Sequence, residues 1–511
     1  MQELEGYLEA LHLDLRHVSQ LFGVEDHLLE DSQQFSWQVE EREGHFCCRM
    51  RWGAQVREET VPVPEALQDA RLHALHRKRA VRRLCRQTLY LLLREVTGIH
   101  PPWGAMTGIR PTRLFYESLE AGHSMETAEQ DLIDRFDLYP EKAALLRETV
   151  SFQKTMLAPD DGSVDLYIGI PFCTTRCAYC SFSSGEIGDG RLVEPYLKAL
   201  AGEMRKGAEI LAASGKRVRA MYMGGGTPTS LRAGQLEKVL SLASALFPGC
   251  MEMTVEAGRP DTLDVEKLRV IRDCGANRIS INPQTMNDET LRRIGRAHTA
   301  EDVVRAYAMA RDVGFHHINM DVIAGLPGED ADAFAGTLQW ARKLSPESLT
   351  VHTLAIKRTS RLQQSGTRMH NAGEVASMVR DGYCCAREMG LAPYYLYRQK
   401  QMTGNLENVG YALPGHGCQY NVDMMEETTH ILAFGAGAIS KRVYPEEGHI
   451  ERAPNVGNIE AYIARWQEMA ERKAALFAPG LAKPQEPCYN AACSGDTPAK
   501  EETDFGYKTD V

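Results

Sequence analysis

From Val164 to about residue 354, short apolar or β-branched runs alternate with longer stretches of helical period. The runs are Asp165–Ile170, Arg219–Met223, Met251–Glu256, Arg278–Asn282, Ile318–Ile323 and Leu349–Leu354. Between the first two, Leu197, Leu200, Met204, Ala208 and Leu211 recur at the spacing of one helix face. Leu231–Leu246, Val265–Asp273, Ala300–Val313 and Ala331–Leu344 continue the alternation. Six strands separated by helices predict parallel βα units. In such sheets chemistry gathers at the carboxyl ends of the strands, so the residues of interest are those that follow each run.

The flanks have a different texture. Residues 1–157 predict an α+β region, with alternating runs such as Phe35–Val39 and a helix over Leu72–Val96. Residues 158–163 have linker composition and open a barrel region, 158–369. Residues 370–479 predict a mostly helical third region with glycine turns at Gly404, Gly410, Gly415 and Gly417. Its Gly435–Ala438 run is followed by a charged helix, Glu460–Lys473. The stretch 480–511 is rich in Pro, Gly and charge and predicts a disordered tail.

The chain of 511 residues is long enough to bury a large core without staples. A net charge of -11 argues against coating nucleic acid or anionic membrane. No run of 18 apolar residues suggests a membrane span, and the acidic start lacks the plan of a signal peptide. The expectation is a cytoplasmic protein with neither a nucleic-acid nor a membrane partner. The 13 cysteines are mostly scattered, unlike a secreted disulfide framework.

Three cysteines are grouped. Cys173, Cys177 and Cys180 lie in PFCTTRCAYCSF, directly after the first strand. A structural zinc site wants a fourth ligand nearby, and no second CxxC or His pair follows. Three thiolates suit a [4Fe–4S] cluster with one iron open to a small molecule. The segment MGGGTPT, 223–229, follows the second strand. Its glycines let a ligand approach the backbone.

Together, CxxxCxxC with an aromatic before its third Cys and the GGGTPT segment resemble the radical S-adenosylmethionine (radical SAM) superfamily. The resemblance implies a partial six-stranded (βα)6 barrel holding a [4Fe–4S] cluster at Cys173, Cys177 and Cys180. It also implies S-adenosylmethionine on the open iron and a 5′-deoxyadenosyl radical that removes a substrate hydrogen.

Over residues 165–475 the chain is similar to the oxygen-independent coproporphyrinogen III dehydrogenase group, most closely its HemZ-type branch. That resemblance assigns cofactor contacts to Tyr167, Tyr179, Gly225, Gly226, Thr227, Glu256, Gln284, Arg296, Asp321, Ala355 and Ile439. Tyr167, Glu256, Gln284, Arg296 and Asp321 are the expected catalytic set. Taken singly, Glu256 or Asp321 is equally compatible with a strand-end charge in solvent. There are departures from the group. Gly169 stands where the opening motif has His, Phe182 where the dehydrogenases have a further Cys, and Tyr420-Asn421 where a Phe-Gln pair helps hold a second S-adenosylmethionine.

The implied activity is oxidative decarboxylation of coproporphyrinogen III to protoporphyrinogen IX, fed by flavodoxin or ferredoxin. The alternatives are a haem chaperone on the same fold and a radical enzyme that modifies haem. A tetrapyrrole carries carboxylates, for which Arg259, Lys357, Arg358, Arg398 and Lys400 are candidate partners. His352, His416 and His430 are candidate haem ligands or structural histidines.

Overall fold

The computed structural model describes residues 11–478, apart from 13, 25–28, 30–33, 67–69, 109, 158–161, 181–183, 356–359, 365–369, 400–401 and 446–448. Phe182, Lys357, Arg358, Lys400, most of the expected linker and the expected disordered tail lie outside the described residues.

The N-terminal region is α+β. Strands β1 (Phe35–Arg42), β2 (His45–Trp52) and β3 (Gln55–Pro62) form an antiparallel meander. In β2 the side chains of Phe46, Cys48, Met50 and Trp52 point to one buried face, the period-two pattern of a half-covered sheet. The helix Ala70–Thr97 packs on β2 and β3. Three shorter helices, Thr112–Glu120, Met125–Phe136 and Pro140–Gln153, lead towards the barrel.

The barrel strand β4 (Ser163–Ile170) is followed by a short parallel pair, β5 (Phe172–Cys173) and β6 (Gly185–Glu186), that brackets the cysteine loop. Then come β7 (Arg217–Gly225), β8 (Glu252–Glu256), β9 (Arg278–Ser280), β10 (Ile318–Ala324) and β11 (Ser348–Thr353), each parallel to its predecessor. Side-chain caps start the intervening helices where the sequence breaks period. Asp264 accepts from Lys267 N, Thr299 from Asp302 N and Asp330 from Ala333 N. Leu166, Ile168 and Ile170 join the apolar core. The alternate residues of β4 and its neighbours form a polar inner face. On that face Asn319 donates to Ser280 and Asp321, Thr350 donates to Asn319, and Tyr222 donates to Glu256.

The third region contributes more strand than its sequence pattern suggests. β12 (Ala392–Tyr397), β13 (Asn408–Ala412), β14 (His430–Phe434), β15 (Ile439–Tyr444) and β16 (His449–Pro454) all join the barrel sheet. The order is β12-β13-β11-β10-β9-β8-β7-β4-β14-β15-β16. β14 is parallel to β4 and makes a seventh parallel strand. Its sequence, HILAF, is buried throughout. A short apolar run covered on both faces has no period to distinguish strand from helix.

The N-terminal region docks on these C-terminal strands through buried polar contacts. Trp103 Nε1 donates to Glu407 at 2.7 Å, and Gln153 donates to Tyr394 O and Glu426 at 3.0 and 2.9 Å. Arg110 pairs with Glu427. Among the described residues no helix is long and apolar enough to cross a membrane.

Candidate functional site

The cysteine loop leaves β4 at Ile170 and is pinned on two sides. Gly226 N donates to Ile170 O at 2.8 Å, and Thr227 N to Phe172 O at 2.7 Å. Thr175 Oγ1 donates to Gly295 O at 2.9 Å, and Ala178 N to Ile294 O at 2.9 Å. A Cβ on Gly226 would lie 2.6 Å from Phe172 O, so only glycine lets the end of β7 pass this close to the loop. Cys173, Cys177 and Cys180 are all part-buried, and none is in a disulfide. Among the described residues no three His, Cys, Asp or Glu side chains are grouped to hold a metal ion; the three thiols are distributed along one loop.

Two buried guanidiniums back this loop. Arg259 donates to Thr175 O and Thr175 Oγ1, both at 2.8 Å, and its Nη1 lies 3.9 Å from Cys177 Sγ. Arg296 donates to Asn282 O at 3.1 Å and Gly258 O at 2.8 Å. Despite the cost of burial, its charge is reinforced by neighbouring Tyr179 and Cys177. Tyr179 packs in a small apolar cluster with Leu291, Ile294 and Leu354.

The inner face carries the acids. Glu256 ends β8, accepts from Tyr222 at 2.7 Å, and lies over Gly224, where a Cβ would come 2.8 Å from its carboxyl carbon. Burial pushes the Glu256 carboxyl up to about 7, and Asp321 adds to the shift; the Tyr222 hydroxyl and the Gly225 amide oppose it. Asp321 is part-buried, and despite the desolvation its carboxyl is held below its usual value by His352, Asn319 and Thr350. Gln284 sits in the left-handed region at φ 64, and its backbone bridges to β10 through Asp321 O and Ile323 N. Its side-chain Oε1 is buried and meets no donor among the described residues; Arg296 Nε is likewise buried without an acceptor. A strained non-glycine residue and two orphaned polar atoms at strand ends indicate ligand sites.

Tyr167 is on the same face and stacks with Tyr222 and Tyr420, ring centroids 6.4 and 6.2 Å away. Ala355 follows β11 and forms an isolated bridge with Met402. Ile439 opens β15 at the other end of the parallel run, after the Gly435–Ala438 loop. That loop is tied down by one carboxylate. Glu203 accepts from Gly435 N at 2.8 Å, Tyr462 OH at 2.6 Å and Asn455 Nδ2 at 2.8 Å, and pairs with Lys473.

The profile of the Radical SAM superfamily matches residues 167–341. The chain is 43% identical over 392 residues to the oxygen-independent coproporphyrinogen-III oxidase-like protein HemZ of Bacillus subtilis, covering 75% of this chain and 78% of that one. It is 36% identical over 309 residues to the heme chaperone HemW of the same organism, covering 58% of this chain and 74% of that one. The solved structure of Escherichia coli coproporphyrinogen III oxidase, HemN, a radical SAM enzyme, shares the fold. The TM-score is 0.50 at 24% identity, over 63% of this chain and 72% of that one. The chain belongs to the radical SAM superfamily, in the coproporphyrinogen oxidase-like group and its HemZ branch.

The cofactors of a radical SAM protein are a [4Fe–4S] cluster and S-adenosylmethionine. The residues present fit both. Thiols on one loop backed by buried cations suit an anionic thiolate-ligated cluster, and the orphaned Gln284 and Arg296 atoms suit a polar ligand beside it. In this radical SAM barrel the other sequence candidates divide. Arg259 supports the cysteine loop. Arg398 is buried against Trp103 and donates to Met106 O and Asn405 O, which locks the N-terminal region in place. His416 stacks on His317 just before β10 begins, at the amino ends of the strands. His430 Nδ1 accepts from Val443 N. Only His352 of the three histidines stands beside an acid of the inner face. Tyr222 and Glu203 also serve this site, although neither lies in a motif. Tyr222 was legible as the residue two before Gly224, on the same strand face.

The raised Glu256 carboxyl gives a pH test. If its carboxylate binds an amine or ribose hydroxyl, cofactor affinity is full above about pH 7 and falls as the group protonates below it. Equilibrium binding of S-adenosylmethionine to Glu256→Gln is expected to lose that pH dependence and to weaken roughly 10- to 100-fold at pH 8. An unchanged profile removes Glu256 from the site.

Proposed function

We propose that the protein converts coproporphyrinogen III to protoporphyrinogen IX without oxygen. The reading is carried by the convergence of Glu256, Gln284, Arg296 and Asp321 on the strand ends around the cysteine loop, with two of their polar atoms unmatched. When bound, the cluster and S-adenosylmethionine supply a hydrogen-abstracting radical. The chain does the rest. Cys173, Cys177 and Cys180 hold the cluster, and Arg259 and Arg296 offset its charge. Gly225, Gly226, Thr227 and Tyr167 shape the approach beside it. Glu256, Gln284 and Asp321 orient the polar groups of the cofactor, while Tyr179, Ala355 and Ile439 pack on its apolar surface. Each of two substrate propionates would give up one hydrogen atom to that radical, one CO2, and one electron to an external one-electron acceptor, and become a vinyl group. A low-potential donor such as flavodoxin or ferredoxin would reduce the cluster.

A second reading, a haem chaperone, is favoured by one observation. Tyr420 stacks on Tyr222 at 4.8 Å, and Asn421 donates to Tyr394 OH at 3.1 Å, so both members of the pair that replaces the dehydrogenases' Phe-Gln make contacts within the protein. Anaerobic incubation with coproporphyrinogen III and a strong reductant separates the two readings by product mass. The expected result is 5′-deoxyadenosine and loss of two CO2. A tight haem Soret band with no vinyl product overturns the enzyme reading in favour of the chaperone.

A further inference from the structure

Strands β7 and β8 run parallel with Tyr222 beside Thr254 and Met223 beside Val255. Continued along the strands, that register sets Gly224 level with Glu256. A Cβ at 224 would stand 2.8 Å from the Glu256 carboxyl carbon, so the glycine leaves room for the carboxyl to lie over β7. Residues two apart on a strand share a face, which puts Tyr222 next to that room. Its hydroxyl donates to Glu256 Oε1 at 2.7 Å.

The Tyr222 ring is held in place by its neighbours. It stacks on Tyr420 with centroids 4.8 Å and planes 23° apart, and on Tyr167 at 6.4 Å and 14°. Burial and the Glu256 carboxylate push the Tyr222 phenol well above its usual range, so the hydroxyl keeps its proton and serves as a donor. A carboxylate offers about four acceptor sites. The Tyr222 hydroxyl and the Gly225 amide both donate to this one. Its remaining capacity suits an amine or a ribose hydroxyl.

We propose that Tyr222 is a positioning residue for S-adenosylmethionine, its hydroxyl fixing the Glu256 carboxylate that in turn binds the cofactor. Tyr222 has this role only if Glu256 binds the cofactor, as read above. A hydrogen bond to a carboxylate favours its charged form, so removing the hydroxyl moves Glu256 protonation to higher pH. Among the described residues, the titratable and charged groups around the pair are Tyr167 on β4, Asp321 on β10 with His352 beside it on β11, Arg296 after β9, and Cys418 and Tyr420 at the start of the helix Gln419–Glu426. Asp321 pushes the Glu256 carboxyl up and Tyr222 holds it down. Tyr222→Phe keeps the ring and its stacking and removes only the downward influence.

The test is equilibrium binding of S-adenosylmethionine to the full chain with its cluster loaded and unreduced, from pH 6 to pH 8.5. The ligand's own amine titrates in this range, and the ratio of variant to wild type at each pH cancels it. Tyr222→Phe is expected to bind about tenfold more weakly at pH 7 and to come within about threefold of wild type at pH 8.5. The double variant Tyr222→Phe, Glu256→Gln should bind no more weakly than Glu256→Gln alone, because the hydroxyl acts only through the carboxylate. Iron content and far-ultraviolet circular dichroism check that each variant is folded and loaded. A Tyr222→Phe profile superimposing on wild type overturns the proposal. So does a double variant weakened by the full Tyr222→Phe factor beyond Glu256→Gln, which would make Tyr222 a wall of the pocket independent of the acid. Wild-type binding by Glu256→Gln is a different failure: it removes Glu256 from the cofactor site, and the role of Tyr222 with it.

Discussion

Replacing Cys173, Cys177 and Cys180 together by Ala is expected to give a colourless protein that binds no cluster iron and cleaves no S-adenosylmethionine. The expectation rests on the three thiols sharing the one loop that leaves β4. The loop's scaffold should survive the change. Its anchors are backbone contacts to Ile170, Phe172, Ile294 and Gly295, none of which uses a thiol. Iron content, the visible absorption of the reconstituted protein and an unchanged far-ultraviolet circular dichroism spectrum check the two halves of the claim. A full four-iron cluster in the triple variant would mean that other residues hold it.

Lys473→Met should destabilise the protein by about 3–5 kcal/mol, the typical cost of leaving one partner of a buried ion pair uncompensated. Lys473 and Glu203 are both 0% exposed. Removing the ammonium strands a carboxylate that still has to accept from Gly435 N, Tyr462 OH and Asn455 Nδ2. Adding Glu203→Gln should recover much of the loss, because the amide oxygen keeps an acceptor in place without the buried charge. The measurement is the midpoint of urea unfolding in the single and double variants. A Lys473→Met midpoint equal to wild type would show that the pair carries little net stability. This pair also holds the loop that precedes Ile439, so the single variant should loosen that side of the barrel before the cysteine loop.

The alternation of strand and helix was legible because β4 and β7–β11 each contribute buried apolar residues to the core and are separated by stretches of helical period. Cys173, Cys177, Cys180 and the Gly225–Gly226 segment were legible because their chemistry is local in sequence. What escaped is what distant residues make together. Arg398 has the composition of an anion binder, yet its donors go to Met106 and Asn405 carbonyls and its plane lies on Trp103. Gln284 was legible as a candidate but not as a strained residue, since its positive φ is imposed by the bridge to Val322 on β10. β14 escaped because five consecutive buried residues carry no period. Glu203 is one more charge on an amphipathic helix by its sequence, and its partners come from far along the chain: Gly435, Asn455 and the helix Ile459–Phe477.

The place of β14 also bears on how such a protein is made. Strand β4, which runs directly into Cys173, has β7 on one side and β14 on the other. A chain synthesised from its amino end acquires the first neighbour early and the second only after nearly all of the barrel has emerged. Until then β4 keeps an unpaired edge beside the cysteine loop, the kind of edge that attracts foreign strands. Docking of β14 is the step that removes this edge.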